Sequence, residues 1–176
     1  MNPVQEDPTL SPWRRLGETF EGSFAARARG LLAPDFAILG REGEEIGLLE
    51  IHGAEGAELG AGYLEARIER SSLSGYTMVT DGAEILTAEP LRAWNGPQIK
   101  CLDRLYHGRL SLLRNSARAG PAGEKATVSV TGGLTNRTYQ VVFDVGDEGS
   151  LPVAFFLLYL TVALRRKVYL TGTKRS

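Results

Sequence analysis

Residues 151–164 read Leu-Pro-Val-Ala-Phe-Phe-Leu-Leu-Tyr-Leu-Thr-Val-Ala-Leu, and Arg165, Arg166 and Lys167 follow at once. A helix formed by this segment is apolar on every side, so it must be hidden in a protein core or in a bilayer. A helix of about 14 residues is about 21 Å long. The hydrocarbon layer of a membrane is about 30 Å thick and usually requires about 20 apolar residues. We therefore predict a buried core helix over about residues 151–167, enclosed by the rest of the chain.

Between residues 31 and 145, apolar residues alternate with polar ones, which indicates β-strands with one buried face. Leu64, Ala66 and Ile68 show this alternation most clearly, and Asp81-Gly82 is a two-residue turn typical of a β-hairpin. Nine segments are predicted as strands: residues 31–39, 46–51, 64–69, 76–80, 83–88, 97–102, 106–114, 125–131 and 135–145. Nine or ten short strands at these intervals favour a sandwich or a barrel.

The N-terminal part of the chain differs from this pattern. Residues 1–10 are mostly polar and contain two prolines, which predicts a mobile leader, and residues 11–176 are predicted to form one domain. Ser11 followed by Pro12 favours a helix start, with Ser11 as N-cap. The apolar residues that follow recur at helical spacing: Trp13, Leu16, Phe20 and Phe24. We predict a short helix from residue 11 towards Gly30.

The two main features of the chain require each other. An open antiparallel sheet has unpaired edges, and closure into a barrel removes them. A barrel of about ten or more strands has a lumen too wide to be filled by its own side chains. An apolar helix inside the lumen fills this space and is itself hidden from water. The sequence therefore predicts a mainly β protein, an antiparallel barrel of about 10–12 strands around a central hydrophobic helix.

This layout resembles the tubby C-terminal-like superfamily, which includes the phospholipid scramblases and the LURP-one-related proteins. The predicted hairpin over residues 36–47 resembles the repeated strand–turn–strand units of the family. A closing pair over residues 132–141 precedes an acidic loop, after which come the hydrophobic helix and its basic residues. The resemblance covers about residues 20–170 and implies a barrel of about twelve strands around the helix. It also implies binding of lipid at a membrane surface.

Some features of named family members have no match in this chain. Scramblases carry clustered cysteines for acylation, whereas this chain has only Cys101. Their acidic segment before the helix has been linked to calcium. The matching residues here, Asp144, Asp147 and Glu148, lack the alternating oxygen ligands of a calcium loop, so we predict no calcium site. No group of basic residues in this sequence corresponds clearly to the phosphoinositide-binding basic cluster of tubby proteins.

Composition narrows the class of protein further. A single cysteine excludes an internal disulfide and indicates a reducing compartment, and Cys101 lies in an apolar context that predicts burial. The N-terminus lacks the basic region and apolar run of a signal peptide. We therefore predict a cytoplasmic protein, peripheral at the membrane if it binds lipid. The net charge of −1 implies no general attraction to nucleic acid.

Motifs for catalysis are missing from the sequence. His52 and His107 have no metal-ligand neighbour at useful spacing, which favours solvated histidines. There is no nucleophile elbow, phosphate loop or dinucleotide fingerprint. Glu42, Glu44 and Glu45 lie in a predicted hairpin tip and are interpreted as a solvated loop. We predict a non-enzymatic protein without cofactor or metal.

The basic C-terminus is the candidate binding site, and its residues are Arg165, Arg166, Lys167, Lys174 and Arg175. The last 28 residues contain these five basic residues and no acidic one, so this tail carries +5 and the remainder of the chain −6. The cations either cap and solubilise the end of a buried helix or contact anionic lipid headgroups, each contributing about 1 kcal/mol near a charged surface.

The leading hypothesis is a binding module for anionic phospholipid or for a hydrophobic ligand, with no protein partner identified. One alternative is a tail-anchored membrane protein with residues 151–164 as the span. Extension of that span past Arg165 would place cations in hydrocarbon at about 2.5–3.5 kcal/mol each. A second alternative is an enzyme with its site at the mouth of the barrel.

Overall fold

The computed structural model describes residues 8–32, 35–71, 75–89 and 96–172, with side chains up to residue 166. Helix α1 (Ser11–Phe20) follows a 3₁₀ turn (Pro8–Leu10), a second 3₁₀ turn spans Gly53–Glu55, and helix α2 covers Ser150–Gly172. The strands lie between the two helices: β1 (Ser23–Arg29), β2 (Asp35–Leu39), β3 (Glu45–Ile51), β4 (Gly56–Ala61), β5 (Leu64–Arg70), β6 (Tyr76–Thr80), β7 (Ala83–Ala88), β8 (Gln98–Cys101), β9 (Arg104–Ser111), β10 (Ser116–Pro121), β11 (Val128–Gly132) and β12 (Thr138–Phe143).

Within the described residues, these twelve strands form one closed antiparallel barrel. Each strand pairs with its neighbour in sequence, and β1 pairs with β12, where Phe24 lies opposite Val141. Between β6 and β7, Asp81 and Gly82 both have positive φ, as the predicted hairpin requires. The predicted fold, a mainly β barrel around one hydrophobic helix with a short N-terminal helix, is confirmed.

Helix α2 passes through the lumen of the barrel. Every residue from 151 to 162 is buried, and the helix packs mainly against β8, β10, β11 and β12. Full burial of a large apolar side chain contributes about 1.5–3 kcal/mol, so this helix is a major source of stability. We call the end of the barrel at which α2 begins the floor, and the end at which α2 leaves the rim. Connections after odd-numbered strands lie at the rim, and those after even-numbered strands lie at the floor.

Three strands, β1, β4 and β10, were not expected from the sequence pattern. They are rich in alanine and glycine, residues that are depleted in strands. Five of their seven alanines face the lumen and are buried: Ala26, Ala57, Ala61, Ala117 and Ala119. Because the lumen already contains a helix, small side chains on the facing strands leave the space that the helix backbone needs. The same filling that closes the barrel therefore weakens the strand signal.

Helix α1 is shorter than predicted and covers the floor. It ends at Phe20 because Glu21 and Gly22 both adopt positive φ, and Phe24 lies in β1. Ser11 is the first helical residue, and the cap position is Leu10, without a side-chain cap bond. The indole Nε1 of Trp13 donates a hydrogen bond to Oγ1 of Thr80 (3.1 Å), which fixes α1 to β6.

Two further boundaries differ from the prediction. The proposed leader, residues 1–10, is partly structured, since residues 8–10 form a 3₁₀ turn and Leu10 is buried. Residues 1–7 lie outside the described part of the chain. Helix α2 continues to Gly172, beyond the predicted end at about residue 167. Arg165 and Arg166 therefore lie inside the helix and not in its last turn, so they do not cap its end.

Candidate functional site

Three adjacent connections at the rim form the candidate site. They join β1 to β2, β11 to β12 and β9 to β10. In the closed barrel the strands run in the order β2, β1, β12, β11, β10, β9, so these connections are neighbours around the rim although they are far apart in sequence. We call residues 30–32, 112–115 and 133–137 the rim arc.

Arg165 of α2 ties two of these connections together. Its Nε donates a hydrogen bond to Oδ1 of Asn136 (3.0 Å), and its Nη1 donates to the carbonyl oxygen of Leu112. Asn115 is the last residue of the β9–β10 connection and is buried against the β11–β12 connection. Its Nδ2 donates to the carbonyl oxygen of Gly133 and to Oδ1 of Asn136, both at 2.9 Å. The predicted site residue Arg165 thus anchors the rim arc to the central helix.

Arg137 ties in the remaining connection. Its Nη2 donates to the carbonyl oxygen of Gly30 (3.1 Å), and its own carbonyl oxygen accepts from the backbone N–H of Ala28 (2.8 Å). These two bonds join Ala28 of β1 and Gly30 of the β1–β2 connection to Arg137 of the β11–β12 connection. The three connections are therefore held in one arrangement. The rim arc is therefore a fixed surface on the helix and the barrel wall.

Four leucines project from this surface into solvent, and we call them the rim leucines: Leu31, Leu32, Leu113 and Leu134. Their side chains are 89%, 100%, 97% and 95% exposed. Single exposed apolar residues are common on protein surfaces, but grouping of such residues on neighbouring loops marks an interaction site. The alternating pattern assigns Leu31, Leu32 and Leu113 to predicted strands, which hides their exposure. The glycines directly before Leu31 and Leu134 are the local signal for a turn at these two positions.

The charge of the barrel differs between its two ends. The floor connections, residues 40–44, 62–63, 81–82, 102–103, 122–127 and 144–149, contain eight acidic and two basic residues. In the described part of the rim, the connections together with residues 165 and 166 contain two acidic residues, Glu55 and Glu89, and four arginines, Arg114, Arg137, Arg165 and Arg166. None of the acidic residues belongs to the rim arc. The exposed leucines thus lie at the positive end of the molecule.

The other predicted site residues are only partly described. The guanidinium carbon of Arg166 lies 5.9 Å from the centroid of the Phe36 ring, at the distance of a cation–π contact. Burial lowers the pKa of Arg166, and the nearby Tyr139 and Asp35 oppose this effect. The side chain of Lys167 and the whole of Lys174 and Arg175 lie outside the described residues. Arg165 and Arg166 therefore join α2 to the connections and strands of the barrel.

At the floor, the carboxylates of the acidic loop before α2 (residues 144–149) bind donor groups of the protein itself. Asp147 is buried, and its Oδ1 accepts hydrogen bonds from Tyr106 (2.7 Å) and Arg104 (2.9 Å), while its Oδ2 accepts from Thr127 (3.1 Å). Its Oδ1 also accepts from the N–H of Gly149 at the start of α2 (3.3 Å), where the helix dipole favours a negative charge.

The other two carboxylates of this loop have different partners. Oδ1 of Asp144 accepts the N–H of Gly146 (2.9 Å), and Glu148 forms an ion pair with Arg14 (2.6 Å). The three carboxylates that match the calcium-linked segment of scramblases are thus each engaged by separate donors of the protein. Asp147 holds the start of α2 in the floor, and Glu148 joins the loop to α1.

Cys101 and Tyr106 lie side by side in this buried region. Burial, together with the charge of Asp147, raises the pKa of the Cys101 thiol to about 12. Burial and the hydrogen bond to Asp147 also raise the pKa of Tyr106. A thiol with so high a pKa is protonated at neutral pH and is a poor nucleophile. The prediction that Cys101 is a buried residue is confirmed.

Comparison with known proteins supports the fold. No protein-family model matches the chain, and no curated protein matches it in sequence. An X-ray structure of a protein from Arabidopsis thaliana is similar, with a TM-score of 0.52 and 9% sequence identity. The likeness covers 81% of this chain and 90% of the plant protein. At this level of identity the similarity establishes a shared architecture, the helix-filled β-barrel, and nothing about activity.

Proposed function

We propose that this protein is a non-enzymatic module that binds the surface of anionic membranes through its rim arc. The observation that carries the proposal is the grouping of four almost fully exposed leucines on three connections that share one end of the barrel. These connections contain arginines and no acidic residue. An apolar tip within a basic surface is the combination that suits the headgroup region of a charged bilayer.

Both the leucines and the basic residues of this surface contribute favourable free energy to membrane binding. Removal of one leucine side chain from water contributes up to about 1.5–3 kcal/mol, and a basic residue near an anionic surface contributes about 1 kcal/mol. The rim leucines require no ordering transition in this proposal, because the hydrogen bonds of Arg165, Arg137 and Asn115 already hold the connections together. The leucine contribution is insensitive to salt, whereas the arginine contribution is screened.

The charge distribution sets the orientation of the bound protein. The acidic floor is repelled by an anionic surface and the rim is attracted, so the barrel axis points towards the membrane with the end of α2 nearest to it. Lys167, Lys174 and Arg175 follow Arg166 in sequence and add positive charge to this end of the chain. A cytoplasmic location, peripheral at the membrane, accords with this proposal.

The other hypotheses have less support. Among the described residues, no helix is both long enough and apolar enough to cross a membrane. A tail anchor would use residues 151–164, and of these residues 151–162 are buried inside the barrel while residues 163 and 164 are half-buried. A hydrophobic ligand in the lumen would compete with α2 for the same space. The remaining alternative, an enzyme with its site at the mouth of the barrel, gains no nucleophile from Cys101, because the raised pKa of this thiol disfavours a thiolate.

We also propose that the chain is a distant member of the tubby C-terminal-like superfamily. Closure of twelve described strands around a hydrophobic C-terminal helix supports this assignment. The acidic loop before the helix occupies the position expected from the resemblance. The membrane proposal does not depend on this membership, because it rests on the rim arc of this chain.

Vesicle flotation with the full-length chain tests the proposed function. We expect binding to vesicles of phosphatidylserine and phosphatidylcholine and weaker binding to phosphatidylcholine alone. The double variant Leu113→Ser/Leu134→Ser should lose most of this binding. Tyr63→Ser is the matched control, since Tyr63 is fully exposed in a turn at the floor. Absence of binding at low salt, or equal losses in the rim and floor variants, would contradict the proposal.

Charge substitutions separate the two contributions. Arg114→Glu at the rim should weaken binding at low salt, while Lys125→Glu at the floor should leave it unchanged. The leucine variant should retain its defect at high salt, where charges are screened. If the Arg114 and Lys125 variants behaved alike, the orientation with the rim towards the membrane would be wrong.

A further inference from the structure

A histidine and two glutamates converge on the outer wall of the barrel, away from the rim arc. Glu50 of β3 and Glu58 of β4 lie directly opposite each other in the strand register. His52 follows the last residue of β3, and its backbone N–H donates to the carbonyl oxygen of Gly56 (2.9 Å), so the pairing of β3 with β4 continues to this residue. One ligand atom from each of the three residues lies within 4.8 Å of the others, and Nε2 of His52 is 3.6 Å from Oε2 of Glu58.

The two carboxylates are an unfavourable pair by themselves. Like charges directly opposite on neighbouring strands destabilise a sheet. Arg67 lies opposite Glu58 on β5, but its guanidinium is 3.5 Å from Glu69. Among the described ion pairs, the partner of Glu58 is His52. A cation between Glu50 and Glu58 would offset their repulsion.

A cavity adjoins this group and shares two of its members. It has a volume of about 630 Å³, and its charged lining residues are four acids and one base: Glu50, Glu58, Glu65, Asp81 and Arg67. Gly60 lies two residues after Glu58 on the same face, and a side chain added there would meet open space. The region in front of the two glutamates is therefore accessible to water or to a small ligand.

We propose that Glu50, His52 and Glu58 form a binding site for a divalent metal ion of the zinc class. An imidazole nitrogen with two carboxylate oxygens is a donor set that suits zinc, and imidazole favours transition metals over calcium or magnesium. Zinc holds such donors at about 2.0–2.2 Å, which in tetrahedral geometry places any two of them about 3.3–3.6 Å apart. The observed separation of His52 and Glu58, 3.6 Å, fits this range, and both side chains are exposed and free to adjust. Because Glu50 and Glu58 line the cavity, water can reach the site from there as a fourth ligand.

The sequence does not reveal this group of residues. Spacing within one segment predicts that His52 has no metal-ligand neighbour, because a partner on another strand is not visible in that spacing. Glu50 is two residues away, a spacing that brings side chains together only in a strand. Glu58 joins them through the pairing of β3 with β4, which is decided by the barrel.

The two histidines of this chain make a direct test possible. The tag-free, full-length protein is titrated with zinc chloride while the imidazole ring protons of His52 and His107 are followed by nuclear magnetic resonance. We expect the His52 signals to change and reach saturation at one equivalent, with His107 unchanged. Equal changes of both histidines, or no change in either, would overturn the proposal. Cys101 does not compete for zinc because it is buried.

Variants measured by calorimetry identify the ligands. His52→Ala and Glu58→Gln should each weaken zinc binding by at least about tenfold. Glu65→Gln is the matched control, since it removes a carboxylate from the same cavity but not from the three proposed ligands, and His107→Ala is the second control. Both controls should bind zinc as the unaltered protein does. If Glu65→Gln weakened binding as much as Glu58→Gln, diffuse attraction to the acidic cavity would replace the proposed site.

Discussion

The floor and the rim of this barrel show two ways of ending the same sheet. At the floor, helix α1 covers the opening, and the buried carboxylate of Asp147 accepts bonds from Tyr106, Arg104, Thr127 and the first turn of α2. At the rim, Arg165, Arg137 and Asn115 bind the connections to one another, although the buried Oδ1 of Asn115 has no hydrogen-bond partner among the described residues. The rim leucines project into water. The exposed large hydrophobic residues of the floor connections, Tyr63 and Val145, lie on separate connections, whereas the rim groups four leucines on neighbouring connections as apolar surface that a partner can cover.

This difference separates stability from binding within one small domain. Substitutions at the floor remove interactions that the fold has already made. Substitutions at the tips of the rim remove side chains that touch little in the isolated protein. Changes near the floor should therefore affect unfolding, and changes at the rim should affect binding.

The largest effect is expected from Phe155→Ala near the floor. Phe155 is fully buried, and its ring stacks on that of Phe24 with centroids 4.6 Å apart. The loss of this ring from the packed core should lower the free energy of unfolding by about 3–5 kcal/mol, as measured by urea denaturation. Leu164→Ala, at a half-buried position towards the rim, should cost less than about 2 kcal/mol. Equal costs would contradict the contrast between the two ends.

The next effect is expected from Asp147→Ala. Removal of this carboxylate leaves Tyr106, Thr127 and the N–H of Gly149 without their acceptor in a buried region. We expect a loss of about 2–4 kcal/mol in the free energy of unfolding. The neighbouring Glu148→Gln removes an exposed ion pair with Arg14 and should cost no more than about 1 kcal/mol. A small effect of Asp147→Ala would show that the floor does not depend on this network.

A third prediction concerns alkaline pH and the same buried region. The folded protein keeps the Cys101 thiol protonated up to a pKa of about 12, whereas the unfolded chain releases this proton near pH 9.0. Unfolding above pH 9.0 therefore releases a proton, so stability is complete below that pH and falls as the pH rises towards 12. The raised pKa of Tyr106 acts in the same direction from its usual value of 10.0.

Denaturation at several pH values between about 8 and 11 measures this effect. Each such group should lower the free energy of unfolding by about 1.4 kcal/mol per pH unit once its unfolded form is ionised. Cys101→Ala should make the decline shallower, and Leu113→Ser at the rim should leave the slope unchanged. An unchanged slope in Cys101→Ala would show that burial of the thiol does not control its ionisation.

The smallest effect on stability is expected at the rim. Leu113→Ser changes a side chain that is 97% exposed, so the free energy of unfolding should stay within about 0.5 kcal/mol of its original value. The same substitution contributes to the loss of vesicle binding proposed above. A large loss of stability would show that Leu113 belongs to the folding core and would remove the basis for treating the rim as a binding surface.

Sequence reasoning succeeded where the signal was local. The apolar run before Arg165 predicted the central helix, and Asp81-Gly82 predicted a hairpin that the positive φ values of both residues confirm. The prediction was wrong where the same spacing fits a helix or a turn into a strand. Phe20 and Phe24 have helical spacing, yet Phe24 belongs to β1. Their rings contact each other, and both contact the ring of Phe155. The alanine-rich strands gave too weak a signal for the same reason that they fit beside α2.

The candidate sites were less predictable than the fold. The rim leucines lie on connections separated by about 20–100 residues, and Arg165 is a structural link between those connections and α2. Glu50 and Glu58 become neighbours only through the register of β3 and β4. Such groupings depend on which strands pair and at which end the connections lie. A pattern read along one segment does not contain this information.

The pattern of apolar residues along the chain already requires that a helix apolar on every side be enclosed and that alternating strands enclose it, because exposure of that surface to water is unfavourable whatever the topology. Which residues meet depends on the tertiary structure. The antiparallel alternation of the strands placed the rim leucines and the arginines at one end and most of the acids of the connections at the other. Closure of β1 on β12 then made the β1–β2 and β11–β12 connections neighbours. The physical reason is that hydrophobic burial is a property of each segment, whereas a binding surface depends on the register and order of all twelve described strands.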